Sequence, residues 1–377
     1  GKGRSRLYRN MSRPGGALRF APDASSGLAQ KSVTGAYPLD IDGDGVTDLV
    51  MLRVGENYLM RGLGGCRFRR ANKTWGFDGG NAWTTAFSAT WEQGLDWPTL
   101  AFGNFMDRET VIMGYGRCDR SWLYRPERGG GYGRRLVLGA GHCTLSMLFS
   151  DWNRDGVPDL RVSNDQEFYR GGEEQLFELK PGALPRAFVH VDGWRQVNIW
   201  GMGIAGHDIT GDGYPEYYLT NMTDNLFEVL AGSAQRPTYE DRARDFGIAA
   251  GQPFVGGDPH PSTAWHAEFQ DVNNDGLQDL LVVKGNVEFV RNRAIIDPNN
   301  LLLQQADGSF VEAAEQAGIV SYELGRSGAL ADLNLDGMLD LVIGNRLGKT
   351  EIWRNVGRGD EDKAVAIGNW LGLKLQM

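Results

Sequence analysis

The chain has 377 residues, 53 of them Gly, and a formal net charge of −9. That charge excludes a nucleic-acid partner held through phosphate contacts. Hydrophobic residues make up 41% and charged residues 23%, which excludes wholesale disorder, and no apolar run approaches the ~18 residues that a membrane-spanning helix needs.

The first residues, GKGRSRLYRN, are basic, lack an apolar h-region and carry no initiator Met. They are expected to be a processed end from which an export signal has gone. Short apolar strands follow in SRLYRN and ALRFAPDASSGLA. Next comes DIDGDGVTDLV, Asp40 to Val50, with four carboxylates in nine residues and an apolar stretch directly behind them. The motif returns as DWNRDGVPDLRV from Asp151, DITGDGYPEYYL from Asp208, DVNNDGLQDLLV from Asp271 and DLNLDGMLDLVI from Asp332. The last four starts lie 57, 63 and 61 residues apart, and the gap of 111 before Asp151 is close to two periods. A degenerate copy is therefore expected near residue 90, and TWEQGLDWPTLAFGNF, Thr90 to Phe105, fits it with most carboxylates lost. Glu92 reads there as a leftover acid whose replacement by Ala would cost little.

A fixed period of this length marks one supersecondary unit repeated along the chain. Between the acidic loops a second theme recurs in RLYRN, WLYRP, QLFEL, NLFEV, LLLQQ and EIWRN, short apolar strands that several times lead into a Gly turn and another strand. Each period thus reads as four strands: one before the acidic loop, one after it, then an outer hairpin. Radial repetition of such units builds a β-propeller. The fold class is all-β, a single propeller over residues 1–377. Its N-terminal strands and the terminal NWLGLKL are expected to share a blade that closes the ring and hides its edges. Seven blades are expected, with six as the alternative. Helix is scarce; SFVEAAEQAGI near Phe310 has room for one or two turns.

The acidic loops suit a hard cation. Residues at positions 1, 3 and 5 can turn oxygens inward, Gly at position 6 allows the sharp turn, position 7 offers a carbonyl and position 9 another carboxylate. Ca²⁺ takes six to eight oxygens in such flexible settings, whereas Mg²⁺ demands stricter octahedral geometry. Zn²⁺ prefers His and Cys, and none lies inside these loops. An EF-hand would need Glu at position 12, but Met51, Val162, Leu219, Val282 and Ile343 stand there. The candidate ligands are Asp40, Asp42, Asp44, Val46 and Asp48; Asp151, Asn153, Asp155, Val157 and Asp159; Asp208, Thr210, Asp212, Tyr214 and Glu216; Asp271, Asn273, Asp275, Leu277 and Asp279; and Asp332, Asn334, Asp336, Met338 and Asp340. About five Ca²⁺ would offset nearly all of the net charge of −9. Thr210 is a weaker ligand than Asp or Asn, which sets the Asp208 loop apart.

The pattern D-x-[DN]-x-D-G-x-x-D-L with apolar residues behind it resembles the FG-GAP/VCBS repeat. That resemblance implies a calcium-loaded propeller of the kind found in the integrin α-subunit head. SRLYRN, GMGIAGHDITGDGYPEYYLTN and NWLGLKL look closer to one branch, the secreted proteins of the ASPIC/UnbV (cartilage acidic protein-like) type. The resemblance covers nearly the whole chain; it is specific for fold and Ca²⁺ and says little about activity.

Three cysteines are present, with no CxxC pair. Cys118 precedes SWLYRP and Cys143 follows RLVLGAGH, with ERGGGYG between them as a hairpin tip. A hairpin brings its ends together, so a Cys118–Cys143 disulfide is expected, leaving Cys66 over; the bridge would fit an oxidising compartment. His266, Arg326 and Asp258 are a conceivable channel constellation, although hydrogen-bonded or exposed histidines are the plainer reading. Trp75, Trp83, Trp91 and Trp97 cluster around the degenerate unit, as inter-blade packing or as an aromatic surface for a partner. No G-x-S-x-G, H-E-x-x-H or P-loop pattern occurs, and no catalytic residue is assigned. The reading is an extracellular or periplasmic calcium-binding propeller, with Ca²⁺ as structural staple, that binds a protein or a glycan. The alternatives are an enzyme with its site at the channel mouth or top-face loops, and a subunit or docking platform of a larger extracytoplasmic assembly.

Overall fold

The structure, a computed structural model, describes residues 3–112, 115–165, 172–360 and 363–370; of residues 108–112 and 115–116 it describes the backbone only. It divides into two compact units. The first comprises Gly1–Arg9, Pro22–Met202 and Ala231–Tyr239; the second comprises Asn10–Ala21, Gly203–Leu230 and Glu240–Met377.

Two short strands come first, β1 (Leu7–Asn10) and β2 (Phe20–Asp23), and they pair with each other. Antiparallel meanders then follow. The first has β3 (Val33–Leu39), β4 (Asp48–Gly55), β5 (Tyr58–Gly62) and β6 (Phe68–Arg70). The second has β7 (Ala82–Thr90) and β8 (Thr99–Asn104), then an inserted hairpin of β9 (Met106–Ile112) and β10 (Tyr115–Cys118), and resumes with β11 (Trp122–Tyr124) and β12 (Leu136–Val137). A bridge of Val54 to Trp83 and Gly55 to Ala82 joins these two meanders into one eight-stranded sheet. The third has β13 (Thr144–Ser150), β14 (Asp159–Asn164), β15 (Gln175–Glu178) and β16 (Arg186–Ala187).

The fourth meander has β17 (Ile204–His207), β18 (Glu216–Leu219), β19 (Leu226–Leu230) and β20 (Tyr239–Asp241). The fifth has β21 (Ala264–Gln270), β22 (Asp279–Lys284), β23 (Asn300–Gln304) and β24 (Phe310–Glu312). The last has β25 (Leu324–Ala331), β26 (Asp340–Arg346) and β27 (Glu351–Trp353). Five meanders follow the expected four-strand plan and the last shows three strands among the described residues, the blade arrangement of a β-propeller. Six meanders stand among the described residues, and a seventh does not. The N-terminal strands find their partner in each other, and residues 371–375 of NWLGLKL lie outside the described residues.

Among the described residues there is no α-helix, only a 3₁₀ turn at His190–Asp192. SFVEAAEQAGI gives β24 and then a single helical turn, closed by Ala317 N–H to Ala313 O at 2.8 Å. The same turn follows β6 and β20, from Trp75 to Ala71 and from Phe246 to Arg242. Each ends on a left-handed Gly, at Gly76, Gly247 and Gly318.

The second strand of each meander explains the continuous apolar runs behind the acidic loops. In β22, Leu280 and Val282 pack toward the fourth meander with Tyr218 and Phe227. Leu281 and Val283 pack toward the last meander with Leu341 and Ile343. All four are fully buried. A strand covered on both faces loses the alternation of a half-exposed one. In the first unit, β4 and β8 meet around Val50, Leu52, Leu100 and Phe102, and β8 and β14 meet around Ala101, Leu160 and Val162.

The first strands share a device that the sequence does not announce. The ladder slips by one residue near the start of β3, β7, β13, β21 and β25. Such a bulge turns one side chain out of the ladder. Thr34 and Thr85 use it to donate to carbonyls of the next meander, Thr84 O at 2.5 Å and Thr144 O at 2.6 Å.

Candidate metal centres

Each acidic loop joins the first two strands of its meander, and position 9 opens the second strand. Leu39 pairs with Asp48, Ser150 with Asp159, His207 with Glu216, Gln270 with Asp279 and Ala331 with Asp340. The expected left-handed Gly at position 6 is present at Gly45, Gly156, Gly213, Gly276 and Gly337. Position 4 is left-handed too, at Gly43, Arg154, Gly211, Asn274 and Leu335. That second requirement is hidden in the sequence because only two of the five are Gly.

Within this turn the acids hold the backbone in a repeated pattern. The position-1 carboxylate accepts the position-6 N–H at 2.8 to 2.9 Å in all five loops. The position-5 carboxylate accepts the position-7 N–H at 2.8 to 3.1 Å. Where position 3 is Asn, its amide donates to the position-5 carboxylate: Asn153 to Asp155, Asn273 to Asp275 and Asn334 to Asp336. A half-turn of that amide would offer its oxygen instead.

Position 9 does a second job. Asp48 accepts from Ile41 N–H and Gly62 N–H, both at 2.8 Å. Asp279 bridges Val272 and Gln304, and Asp340 bridges Leu333 and Asn355. Asp159 bridges the Trp152 indole and Leu179, while Glu216 accepts from Ile209 and from both the N–H and hydroxyl of Thr210. All five are buried. In four of the meanders this carboxylate therefore ties the loop to the chain at the third strand. Burial pushes the carboxyls of Asp48 and Asp159 up to about 6 and that of Asp279 up to about 7; those of Glu216 and Asp340 also rise, with desolvation the largest cause. A cation at the loop would draw them back down.

Two clusters meet the spatial demand of a cation most directly. Carboxylate oxygens of Asp40, Asp42 and Asp48 lie within 4.8 Å of one another, as do those of Asp208, Asp212 and Glu216. The donors are all oxygen, which suits Ca²⁺. Buried oxygens without a hydrogen-bond partner occur in these loops: Asp40 Oδ1, Asp42 Oδ1 and Asp208 Oδ1, with Asn334 Oδ1 in the last loop. An unsatisfied buried acceptor is costly, and a bound cation would satisfy it. The residues fit the metal.

The second meander differs. Thr99 stands at position 9, paired with Thr90, and the place of the position-2 apolar residue is taken by Glu92. Glu92 is not a leftover acid. It is 8% exposed, accepts from the Thr99 hydroxyl at 2.7 Å and pairs with Arg125 at 2.6 Å. Its replacement by Ala would take from Arg125 its carboxylate partner, so the expectation of a small cost does not stand.

Cys118 and Cys143 form a disulfide, with Cα atoms 4.6 Å apart, and Cys66 is free and exposed. The expected hairpin is present, as Trp122 pairs with Val137 and Leu123 with Leu136. The conceivable His266, Arg326 and Asp258 group is dispersed into separate contacts. Arg326 stacks on Trp265 at 4.2 Å and donates to the carbonyls of Gly285, Gly325, Asn286 and Val287. His266 lies 3.7 Å from Glu268. Asp258 pairs with His260 at 2.8 Å and accepts from Ile295 and Ile296 N–H. Of the four tryptophans, Trp75 and Trp97 pack edge to face at 5.2 Å, whereas Trp83 and Trp91 are 37% and 39% exposed. Sequence reasoning also missed a fully buried ion pair, Lys284 with Asp297 at 3.0 Å; nothing in the apolar run of β22 signals it except the Lys itself.

Residues 271–343 match the FG-GAP-like repeat, a stretch that runs from the acidic loop of the fifth meander through β22 to β25 and the last acidic loop into β26. A 49-residue stretch is 49% identical to human cartilage acidic protein 1, covering 13% of this chain and 7% of that protein. The Xenopus tropicalis cartilage acidic protein 1 matches at 47% over 49 residues, 13% of this chain and 8% of that protein. The chain thus spans less than a tenth of the length of these relatives through the matched stretch. Among solved structures, an Agrocybe aegerita lectin described as recognising non-reducing terminal N-acetylglucosamine covers 93% of this chain and 90% of its own, with TM-score 0.47 and 14% identity. The Vibrio cholerae biofilm matrix protein Bap1 covers 87% of this chain and 45% of its own, with TM-score 0.41 and 13% identity.

Proposed function

We propose that this chain is an extracellular or periplasmic calcium-binding β-propeller that binds a protein or a glycan, with Ca²⁺ as its structural staple. The observation that carries the reading is the set of buried, unpartnered oxygens on Asp40, Asp42 and Asp208 inside all-oxygen clusters. Five loops of one geometry extend it to five sites, with the main-chain carbonyls of Val46, Val157, Tyr214, Leu277 and Met338 completing the ligand sets. Six meanders support a six-bladed ring, the lower of the two counts, formed as one propeller by the whole chain. The Cys118–Cys143 disulfide supports an oxidising compartment. Among the described residues no helix is long and apolar enough to cross a membrane.

A place for the partner is a cavity of about 510 Å³ beside the acidic loop of the third meander, walled by Asp155, Trp152, Phe188, Arg186 and Arg236. It joins an apolar floor to charged groups of both signs, as sites for polar ligands do.

Calcium that binds only the folded chain stabilises it by mass action. Excess EDTA should therefore lower the melting temperature and expose the chain to protease, and elemental analysis of the loaded protein should find about five Ca²⁺ per chain. An unchanged melting curve in EDTA, or a count of about two or fewer, would overturn the reading.

A further inference from the structure

The third strands run in a common register against the second. Leu49 pairs with Met60, Leu100 with Tyr124, Leu160 with Phe177, Tyr217 with Glu228, Leu280 with Leu302 and Leu341 with Trp353. The next residue in each case lies across from position 9. Those residues are Arg61, Arg125, Glu178, Val229, Leu303 and Arg354. Three of the six are arginines, and each reaches the loop of its own meander.

The three form a series. In the second meander, where positions 1, 3 and 5 are Trp91, Gln93 and Leu95, Arg125 is 16% exposed in its side chain and holds Glu92 at 2.6 Å. It also donates to the carbonyls of Ala183 and Lys180. A guanidinium there does the work of a cation. In the first meander Arg61 reaches Asp42 Oδ2 at 2.8 Å and Asp44 Oδ2 at 2.9 Å. Yet Asp42, only 10% exposed in its side chain, keeps Oδ1 without a partner, and the loop holds four carboxylates against one guanidinium. In the last meander Arg354 stands 3.6 Å from Asp336 and donates to Gly15 O. The loop of the fifth meander has the same acids and Asn as the last, but apolar Leu303 stands across from its position 9.

We propose that this third-strand position sets how firmly each loop holds its cation. Arg61 and Arg354 are tethered counter-charges that share carboxylates with a bound metal and weaken its hold; Leu303 and Val229 leave their loops wholly dependent on the metal. The proposal rests on the calcium reading above. A fixed positive charge beside the loop repels a second one and occupies acceptors the metal needs. The same charge partly neutralises the carboxylates when calcium is scarce.

The test is calcium titration calorimetry on the full chain, with melting curves in EDTA alongside. Asp40→Asn should remove one site. Arg61→Met should tighten one of the weaker sites by roughly fivefold, the size of one exposed ion pair, and the gain should vanish in the Arg61→Met/Asp40→Asn double variant. Leu303→Arg should weaken one of the tighter sites. In EDTA the order reverses, and Arg61→Met should melt below the parent. If Asp40→Asn leaves the calcium stoichiometry unchanged, the calcium reading itself fails at this loop. If it removes a site while neither Arg61→Met nor Leu303→Arg shifts any affinity beyond about twofold, the tethered-charge proposal alone is overturned.

Discussion

Glu92 shows how far a single residue's meaning depends on its neighbours. In sequence it is an isolated acid in a loop that has lost its motif. In the fold it pairs with Arg125, and the two side chains are 6% and 16% exposed. Removing one partner of a shielded pair leaves the other uncompensated. Glu92→Ala should therefore cost about 2 kcal/mol in denaturant unfolding, less for Glu92→Gln, which keeps the Thr99 contact. A change within experimental error for Glu92→Ala would refute the pairing. Glu174 makes a pH prediction. It is buried at 1% exposure, accepts from Asn164 N–H at 2.8 Å, and desolvation pushes its carboxyl up to about 8. A carboxyl raised in the fold binds its proton more tightly folded than unfolded, so ionisation opposes folding. Its effect is absent at acid pH and grows as pH rises from its unfolded value near 4.5 to about 8. Glu174→Gln should show a melting temperature that gains on the parent across that window and runs parallel to it below. Parallel curves at every pH would show that Glu174 does not titrate there.

At the scale of elements, the acidic loop and its meander are one device. Position 9 of the first loop closes the ladder at Leu39–Asp48 and reaches across to Gly62. The loop is thereby locked to the third strand before any metal is considered. The disulfide plays a different part. It joins the foot of the inserted β9–β10 hairpin to the residue before β13, so it staples an insertion to the repeat. Closing a loop of 25 residues contributes roughly 3 kcal/mol on the chain-entropy account. Cys118→Ser/Cys143→Ser should lose about that much stability, and the native parent should show one alkylatable thiol, Cys66. Three alkylatable thiols without reduction would remove both the bridge and the main support for export.

For the whole molecule, the proposal of one closed propeller carries a thermodynamic consequence. Small cooperative structures unfold in a single transition, while independent domains melt separately. Scanning calorimetry in saturating calcium should give one transition with calorimetric and van't Hoff enthalpies in agreement. Two resolved transitions would favour separate folding of the two compact units and end the single-ring reading.

The period, the strand plan and the acidic loops were legible in the sequence because each is written in local terms. Asp, Asn and Gly at fixed offsets impose a turn whatever surrounds it, and an apolar run must be buried somewhere. The Cys118–Cys143 pairing was legible for the same reason, since a hairpin brings its own ends together. The left-handed position 4 was not, because Arg154, Asn274 and Leu335 accept a strained backbone only when the rest of the loop holds them. The partners of Glu92 and Arg61 lie on another strand, and the pairing of β1 with β2 was open to either terminus. Those choices were made by the register of the ladders, which aligns Arg61, Arg125 and Arg354 opposite position 9 although they follow it by 13, 26 and 14 residues along the chain.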